Sequence, residues 1–538
     1  MGSCYRVENY RTVDIPVETQ KVYNNPFEDV DVFGTFTGPN GESLKLLAFW
    51  DDGQTWKLRF APTSVGTWTF VISSTDPEGE FAGEGTVEAV PYEGDLDMYK
   101  HGFLKVSADK RILEYADGTP FFWLGDTHWT FATEERFDES NCPKYASQFK
   151  ACVDKRVQQK FTVYQSNFRD GDTDGFFGRN IDLMQRTDKG FLPDVKAFQE
   201  NIDRKMFYIA DQGLYHAVGY AWGFDLERNG QDRYKAFAKY VAARYSALPL
   251  AWTLAGEVPG YFPAGKQAMI DGWRPVALEG RKWSAYKNLF SVHLAADRPF
   301  PCIYADEEWL DFVMSQAGHG DFDMEQSMYA EFVEMYKGHP VLESEATYEG
   351  ATSNELISRV IPAEMMRRLA YLIMQSGGCG YSYGCNGIWE LQWEAGVGGI
   401  GWGDMAWWDG LDLPGADQLT IFRDFYESVN WSTLKPMSRE EAVTKAFFME
   451  STNRTDIFFT ADEARETIVG YMQQTSMRNF ELHGLTASEY EVYFVDPATG
   501  EKTVEENHYF PENGVLTYTT QDVFANRSDR LVVLKAVK

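Results

Sequence analysis

The chain has 538 residues, more than one hydrophobic core can serve, so two to four domains are expected. Its 50 Lys and Arg against 81 Asp and Glu leave a net charge of -31, which would repel nucleic acid and anionic membrane surfaces and argues against both as partners. No run approaches the roughly 18 consecutive apolar residues of a membrane span.

The amino terminus, MGSCYRVENYRTVDIP, shows no basic run followed by an apolar core, and a cytoplasmic location is the expectation that follows. Residues 10 to 92 read as short alternating strands: TVDIPVET, VDVFGTFTG, SLKLLAFWD, TWKLRFAP, GTWTFVISS and GTVEAVPY, parted by Gly, Asn, Asp and Pro. That spacing predicts an antiparallel β-sandwich, placed at residues 1–98.

From 99 to 435 strands alternate with helical patterns, the mark of parallel α/β architecture. Eight strand candidates can be read: 121–127, 161–167, 215–222, 250–257, 301–306, 312–319, 339–346 and 377–389. Helical periodicity fills most gaps, as in KYASQFKACVDKRVQQK, DRYKAFAKYVAARY, RKWSAYKNLFSVHLAAD and PAEMMRRLAYLIMQ. A (β/α)8 TIM barrel is predicted, with one irregular unit, because EEWLD is too short for a helix after the fifth strand. The long strand-to-helix connections, 168–193, 258–279 and 390–415, gather on the rim where barrel active sites are built. A second all-β stretch, 436–538, contains TDIFFTA, ETIVGYM, the hairpin EYEVYFVDPATGEK and RLVVLKAV, and predicts a C-terminal β-sandwich.

The barrel carries the candidate chemistry. Cleavage of a glycosidic bond needs one carboxylic acid to protonate the leaving oxygen and one carboxylate to attack carbon or activate water. Glu257 ends the fourth strand, LAWTLAGE, and Glu345 ends the seventh, HPVLESE. Glu343 lies two residues earlier, on the same side of an ideal strand, and competes with Glu345 for the rim position. Asp126, His128 and Trp129 follow the first strand, Gln165 lies on the second, Trp222 ends the third and His319 ends the sixth. All six are candidates to orient a sugar. Tyr348 is placed to lie over Glu345. The segment 389–408 carries five tryptophans among glycines and reads as the wall of a sugar subsite, with Trp402 as stacking platform.

One motif competes: Gly380-Tyr381-Ser382-Tyr383-Gly384 fits the GxSxG nucleophile elbow, which would make Ser382 the nucleophile of a serine esterase. That elbow needs a helix directly after it, and CNGIWELQW has no helical period. The six cysteines form no CxxC pair and the eight histidines no HxH or HExxH, so no metal and no cofactor are expected.

At these residues the chain resembles the apiosidase-like glycoside hydrolases. PFFWLGDTHWTF, LAWTLAGE, HPVLESEATYEG and WWDGLDLPGADQL are similar to their first-strand, fourth-strand, seventh-strand and barrel-closing segments. YNNPFEDVDVFGTFTGPNG and WKLRFAPTSVGTWTF resemble the small β-sandwich often set ahead of such barrels. The resemblance implies carboxylates facing each other across the mouth of a retaining enzyme; partial burial after LAWTLAG and the nearby Glu345 charge would suit Glu257 to be acid/base, with Glu345, kept ionised by rim donors, as nucleophile. Two positions depart from the pattern: Glu257 stands where apiosidases use Asp, and Gly256 stands where many barrel glycosidases have Asn. The expected substrate is a short plant-derived oligosaccharide or glycoside cleaved from its end, and the oligomeric state, including a homo-oligomer, is left open. A non-catalytic carbohydrate-binding protein on the same scaffold is the alternative from a different class.

Overall fold

A computed structural model describes residues 3–132, 135–170, 181–260, 265–296, 301–318, 325–352, 360–391, 403–446, 457–473, 478–519 and 529–538. His319 and Trp402 lie outside the described residues.

The N-terminal strands form two facing sheets. One runs in the order Ser3–Glu8, Gly83–Val90, Gly66–Ser74, Val32–Thr37, Ser43–Leu47, and the other in the order Val13–Glu18, Thr55–Phe60, Phe49–Asp52. Alternation dictates which side chains meet: Trp68 and Phe70 of GTWTFVISS point inward with Phe36, Trp56, Leu58 and Phe60. Phe36 and Phe60 stack with centroids 4.0 Å apart. The sequence reading omits the first strand, Ser3–Glu8, which pairs in parallel with Gly83–Val90, so this sandwich is not wholly antiparallel.

The central sheet is parallel, in the order Leu250–Trp252, Tyr215–Gly219, Val163–Asn167, Trp123–His128, Gly380–Tyr383, Val341–Glu343, Val313–Ser315. In barrel order these are strands four, three, two, one, eight, seven and six. The remaining gap is spanned by residues 289–294, joined to strand four by the parallel bridge Trp252↔Phe290 and to strand six by His293↔Met314. Main-chain bonds from Trp252 N–H to Leu289 (2.8 Å) and from Leu294 N–H to Met314 (3.2 Å) hold it there. This segment is the fifth strand of the (β/α)8 barrel.

The assignment corrects two expectations. PCIYAD, expected as the fifth strand, is irregular, and the helix expected over 281–297 ends at Trp283. The helix that follows strand four is Lys266–Trp283, most of it within 258–279, a stretch expected to be a long connection, and it contains Gly272, Pro275 and Gly280. Burial overrides propensity here: Trp273, Val276 and Ala277 are fully enclosed and anchor the helix on the barrel. Other helices fall where the period placed them, at Gln148–Gln158, Gln231–Tyr245 and Ala363–Gln375.

The C-terminal strands build a six-stranded sheet and a three-stranded sheet, with Tyr490–Val495 and Lys502–Val504 as the predicted hairpin. One face of the larger sheet joins the barrel's own core through Phe458, Val469, Tyr471 and Val533; the other, with Ile468, Val492 and Leu534, packs on the smaller sheet. Arg367 of the barrel pairs with Asp529 at 2.7 Å, and Tyr371 stacks on Tyr471. The N-terminal sandwich is tied in by buried Arg59, paired with Asp14, and Arg244, paired with Asp51, which share Asp203. Among the described residues no helix is long and apolar enough to cross a membrane.

Candidate active site

The carboxyl ends of the parallel strands bring the two predicted carboxylates to one shared imidazole, His293. Glu257 follows the fourth strand with a left-handed φ of 58° and is half-buried. Its main-chain N–H donates to His293 Nδ1 at 3.3 Å, and Gln316 Nε2, from the sixth strand, donates to its Oε1 at 3.3 Å. Glu345, only 4% exposed, accepts the Tyr348 hydroxyl on Oε1. Its Oε2 lies 2.8 Å from His293 Nε2, a close polar contact that lacks the alignment of a linear hydrogen bond. Because Nδ1 of His293 accepts the Glu257 N–H, the proton of a neutral ring sits on Nε2 and faces the Glu345 carboxylate. His293 thus bridges the main chain of one carboxylate residue and the side chain of the other. It was invisible in the sequence because its strand was read as the end of a helix; the extended run NLFSVHL was the signal.

Tyr348 reaches Glu345 because the chain around it is cut to fit. A Cβ on Gly384 would lie 2.2 Å from the Tyr348 ring, so only glycine admits that phenol. Burial, together with the adjacent Glu345 charge, pushes the Tyr348 phenol well above its usual range, and it remains a donor. Trp129 Nε1 donates to the Tyr348 oxygen at 2.8 Å, and Trp389 stacks on the Tyr348 ring with centroids 5.2 Å apart. Trp129 is itself enclosed, edge-on to both Trp222 and His293. Its indole braces Tyr348. Glu349 turns away, accepting the Tyr383 hydroxyl and the Gly415 N–H at the start of the closing helix Pro414–Ser428.

Trp222 lies against strand four, and a Cβ at Gly256 would come within 2.1 Å of its ring. The glycine before the acid is therefore required by the indole beside it, which accounts for the departure from Asn in physical terms. Trp129, Trp222, Tyr348 and Trp389 form one buried aromatic cluster at this rim.

Asp126 and His128 sit behind the mouth. His128 is fully buried with Nε2 3.0 Å from Asp126 Oδ2 and Nδ1 2.7 Å from Glu135 Oε1. Burial alone would lower its pKa, but the two carboxylates prevail and raise it to about 9. Arg156 also binds Asp126, and the Tyr164 hydroxyl binds Glu135. Both ring nitrogens of His128 are committed within the protein, and the ion cluster fixes the loop that carries Trp129. Glu135 was missed in the sequence because nothing in its local pattern distinguishes it from a surface acid.

Gln165 is likewise internal. Its amide donates to the Ser344 carbonyl at 2.8 Å and accepts Ser382 Oγ at 2.7 Å; Trp123 Nε1 donates to that same Oγ at 3.0 Å. Ser382 thus lies within the eighth strand, in the barrel interior, with an amide and an indole as partners rather than an imidazole. No helix follows it directly, and the elbow of a serine hydrolase is not formed. Glu343 is fully enclosed between strands six and seven, and burial raises its carboxyl to about 7.

Comparison with known proteins shows the family and the fold. Residues 107–433 match the family described as "Apiosidase-like, catalytic domain", and residues 6–75 match a domain of unknown function, DUF5060. No curated protein matches the chain. A putative glycoside hydrolase from Bacteroides vulgatus superposes with a TM-score of 0.73 at 16% identity, covering 99% of this chain and 100% of that one. A glycoside hydrolase family 5 structure from the same organism gives 0.65 at 19%, covering 83% and 95%. A third structure, described as a glycoside hydrolase, gives 0.64 at 20%, covering 82% and 99%.

Proposed function

The chain belongs to the apiosidase-like family of glycoside hydrolases, and from that premise we propose that it cleaves its glycoside with net retention, Glu345 acting as nucleophile and Glu257 as general acid/base. The observation that supports this division is the asymmetry of the pair. Glu345 is enclosed, accepts the Tyr348 hydroxyl and lies against His293, whereas Glu257 is half-buried, with Gln316 Nε2 at 3.3 Å among its contacts. A nucleophile must stay ionised and in place; an acid/base must exchange protons with water between the two halves of the cycle.

In the first half-reaction a Glu345 oxygen attacks the anomeric carbon as the Glu257 carboxyl gives its proton to the departing oxygen, leaving a glycosyl ester on Glu345. In the second, Glu257 takes a proton from water, the water oxygen attacks the same carbon, and Glu345 leaves as the carboxylate. This chemistry calls for the two carboxyl groups to stand about 5–5.5 Å apart. We take residues 99–435 as the catalytic barrel, with 1–98 and 436–538 as sandwiches that support it and shape its rim. The proposed substrate is a short plant-derived oligosaccharide or glycoside cleaved from its end in the cytoplasm.

The aromatic cluster at the rim provides apolar surface of the kind that sugar rings pack against, and Trp222 stays the substrate-facing candidate among the residues expected to orient the sugar. Asp126, His128, Gln165 and Trp129 act instead through other side chains. The test is a screen of aryl apiosides, arabinofuranosides, galactosides and glucosides, followed by NMR of the first-formed product. Retained configuration is expected; an inverted product would reassign the roles, and no release of sugar from any of them would favour the carbohydrate-binding alternative.

A further inference from the structure

Glu343 raises a question that packing does not answer. A buried carboxylate is costly to ionise, and a neutral side chain of the same length would fill the space without that cost. Yet Glu343 is surrounded by donors. Its Oε1 accepts the main-chain N–H of Ala317 at 3.0 Å and of Glu345 at 3.2 Å. Its Oε2 accepts Ser315 Oγ at 2.9 Å, and the nearby Tyr329 phenol favours its ionised form. Such a ring of donors is complementary to an acceptor-only group.

The two N–H groups belong to different strands. One is on Glu345, at the end of strand seven. The other is on Ala317, directly after Gln316, whose side chain reaches Glu257. A single carboxylate therefore holds the main chain that carries Glu345 and the main chain that carries the partner of Glu257. The same junction is drawn together by Ser344 N–H and Oγ, both donating to the Ser315 carbonyl, at 2.8 and 2.7 Å.

We propose that Glu343 is a positioning residue that sets the placement of both reacting carboxylates by clamping the ends of strands six and seven. This rests on the reading of Glu257 and Glu345 as the reacting pair. Displacing a reacting group by about 1 Å can cost about 100-fold in rate, so the clamp acts on turnover more than on binding.

The experiment compares wild type, Glu343→Gln and Glu343→Leu. The probe is a 2,4-dinitrophenyl 2-deoxy-2-fluoro glycoside of the sugar that the wild type releases from its aryl glycoside. Readouts are the rate of covalent labelling at Glu345, kcat, KM and Tm. Gln keeps one acceptor oxygen for the two N–H groups, and the Ser315 hydroxyl can turn to accept from its NH2. It should lose about tenfold in labelling and kcat with KM within twofold and Tm unchanged. Leu keeps no acceptor and should lose about 100-fold. That graded rescue is what a purely structural role would not produce.

Equal labelling rates in wild type and Glu343→Leu would overturn the proposal, as would Gln and Leu losing activity equally in step with Tm. Wild type labelled anywhere but Glu345 would instead overturn the reading of the reacting pair. Should Glu343→Leu fail to fold, Ser315→Ala removes one donor without touching either main-chain bond. It should lower kcat roughly two- to fivefold at unchanged KM; unchanged kcat would overturn the proposal.

Discussion

The two sides of the barrel mouth are built differently. On the strand-seven side Glu345 is held by a phenol, an imidazole and, through its main chain, a second carboxylate, and the phenol is itself held by Trp129 and flanked by Trp389. On the strand-four side Glu257 sits at a left-handed turn beside a glycine, partly open, with Gln316 as its 3.3 Å contact. Under the proposed roles the more enclosed carboxylate is the one that attacks carbon, and the half-buried one exchanges protons with water.

The largest expected effect breaks the braced side outright. Glu345→Ala should lower aryl-glycoside turnover by on the order of 10⁴-fold or more, with no covalent labelling left. Glu257→Ala should be milder on an activated leaving group, losing about 10²-fold, and azide should restore turnover as a glycosyl azide of retained configuration. Azide rescue of Glu345→Ala with inverted product would fit the same roles, because azide would then attack the anomeric carbon directly; rescue of Glu257→Ala with inverted product would reverse the comparison.

Next in size, Tyr348→Phe removes a donor from the nucleophile and should cost about 10²-fold in kcat with KM little changed. Trp129→Phe, one bond further out, should cost roughly tenfold or less. A larger loss from Trp129→Phe than from Tyr348→Phe would show that the indole acts on the substrate directly. The smallest effect concerns the ion cluster that holds the Trp129 loop. The folded-state pKa of His128 is raised to about 9, above the usual 6.5. Its contribution to stability is therefore complete below about 6.5 and is lost as pH rises through about 9. Tm measured from pH 6 to 10 should show this alkaline fall, and His128→Gln should flatten it; an unchanged slope would contradict a charged His128 in this ion cluster.

Much of the architecture was legible because alternation of period two and of period 3.6 are local properties of the chain. The sandwich strands from GTWTFVISS to RLVVLKAV, seven of the eight barrel strands and the helices at Gln148–Gln158, Gln231–Tyr245 and Ala363–Gln375 follow from them. The fifth barrel unit did not. The helix leading into it contains Gly272, Pro275 and Gly280, and its strand is a short run, NLFSVHL, whose pairing is limited to isolated bridges. Both are stabilised by contacts distant in sequence, which a local pattern cannot register.

The same division runs through the site. The chain by itself determined that acids follow strands four and seven, because the strand pattern locates each strand, while the strands themselves stop short, at Trp252 and Glu343. Which of Glu343 and Glu345 faces the mouth was a tertiary decision: strand pairing ends at Glu343, the chain then leaves the ideal alternation, and the donors from Ala317 and Ser315 enclose the first carboxylate while Tyr348 meets the second. His128 and Gln165, chosen for their place along strands, are committed to Asp126, Glu135, Ser344 and Ser382, and His293 came to the centre from a segment that carried no recognisable motif. Sequence sets what a residue can donate or accept; only folding decides which partner is within reach, because a hydrogen bond depends on angstrom-scale distances between elements far apart in the chain.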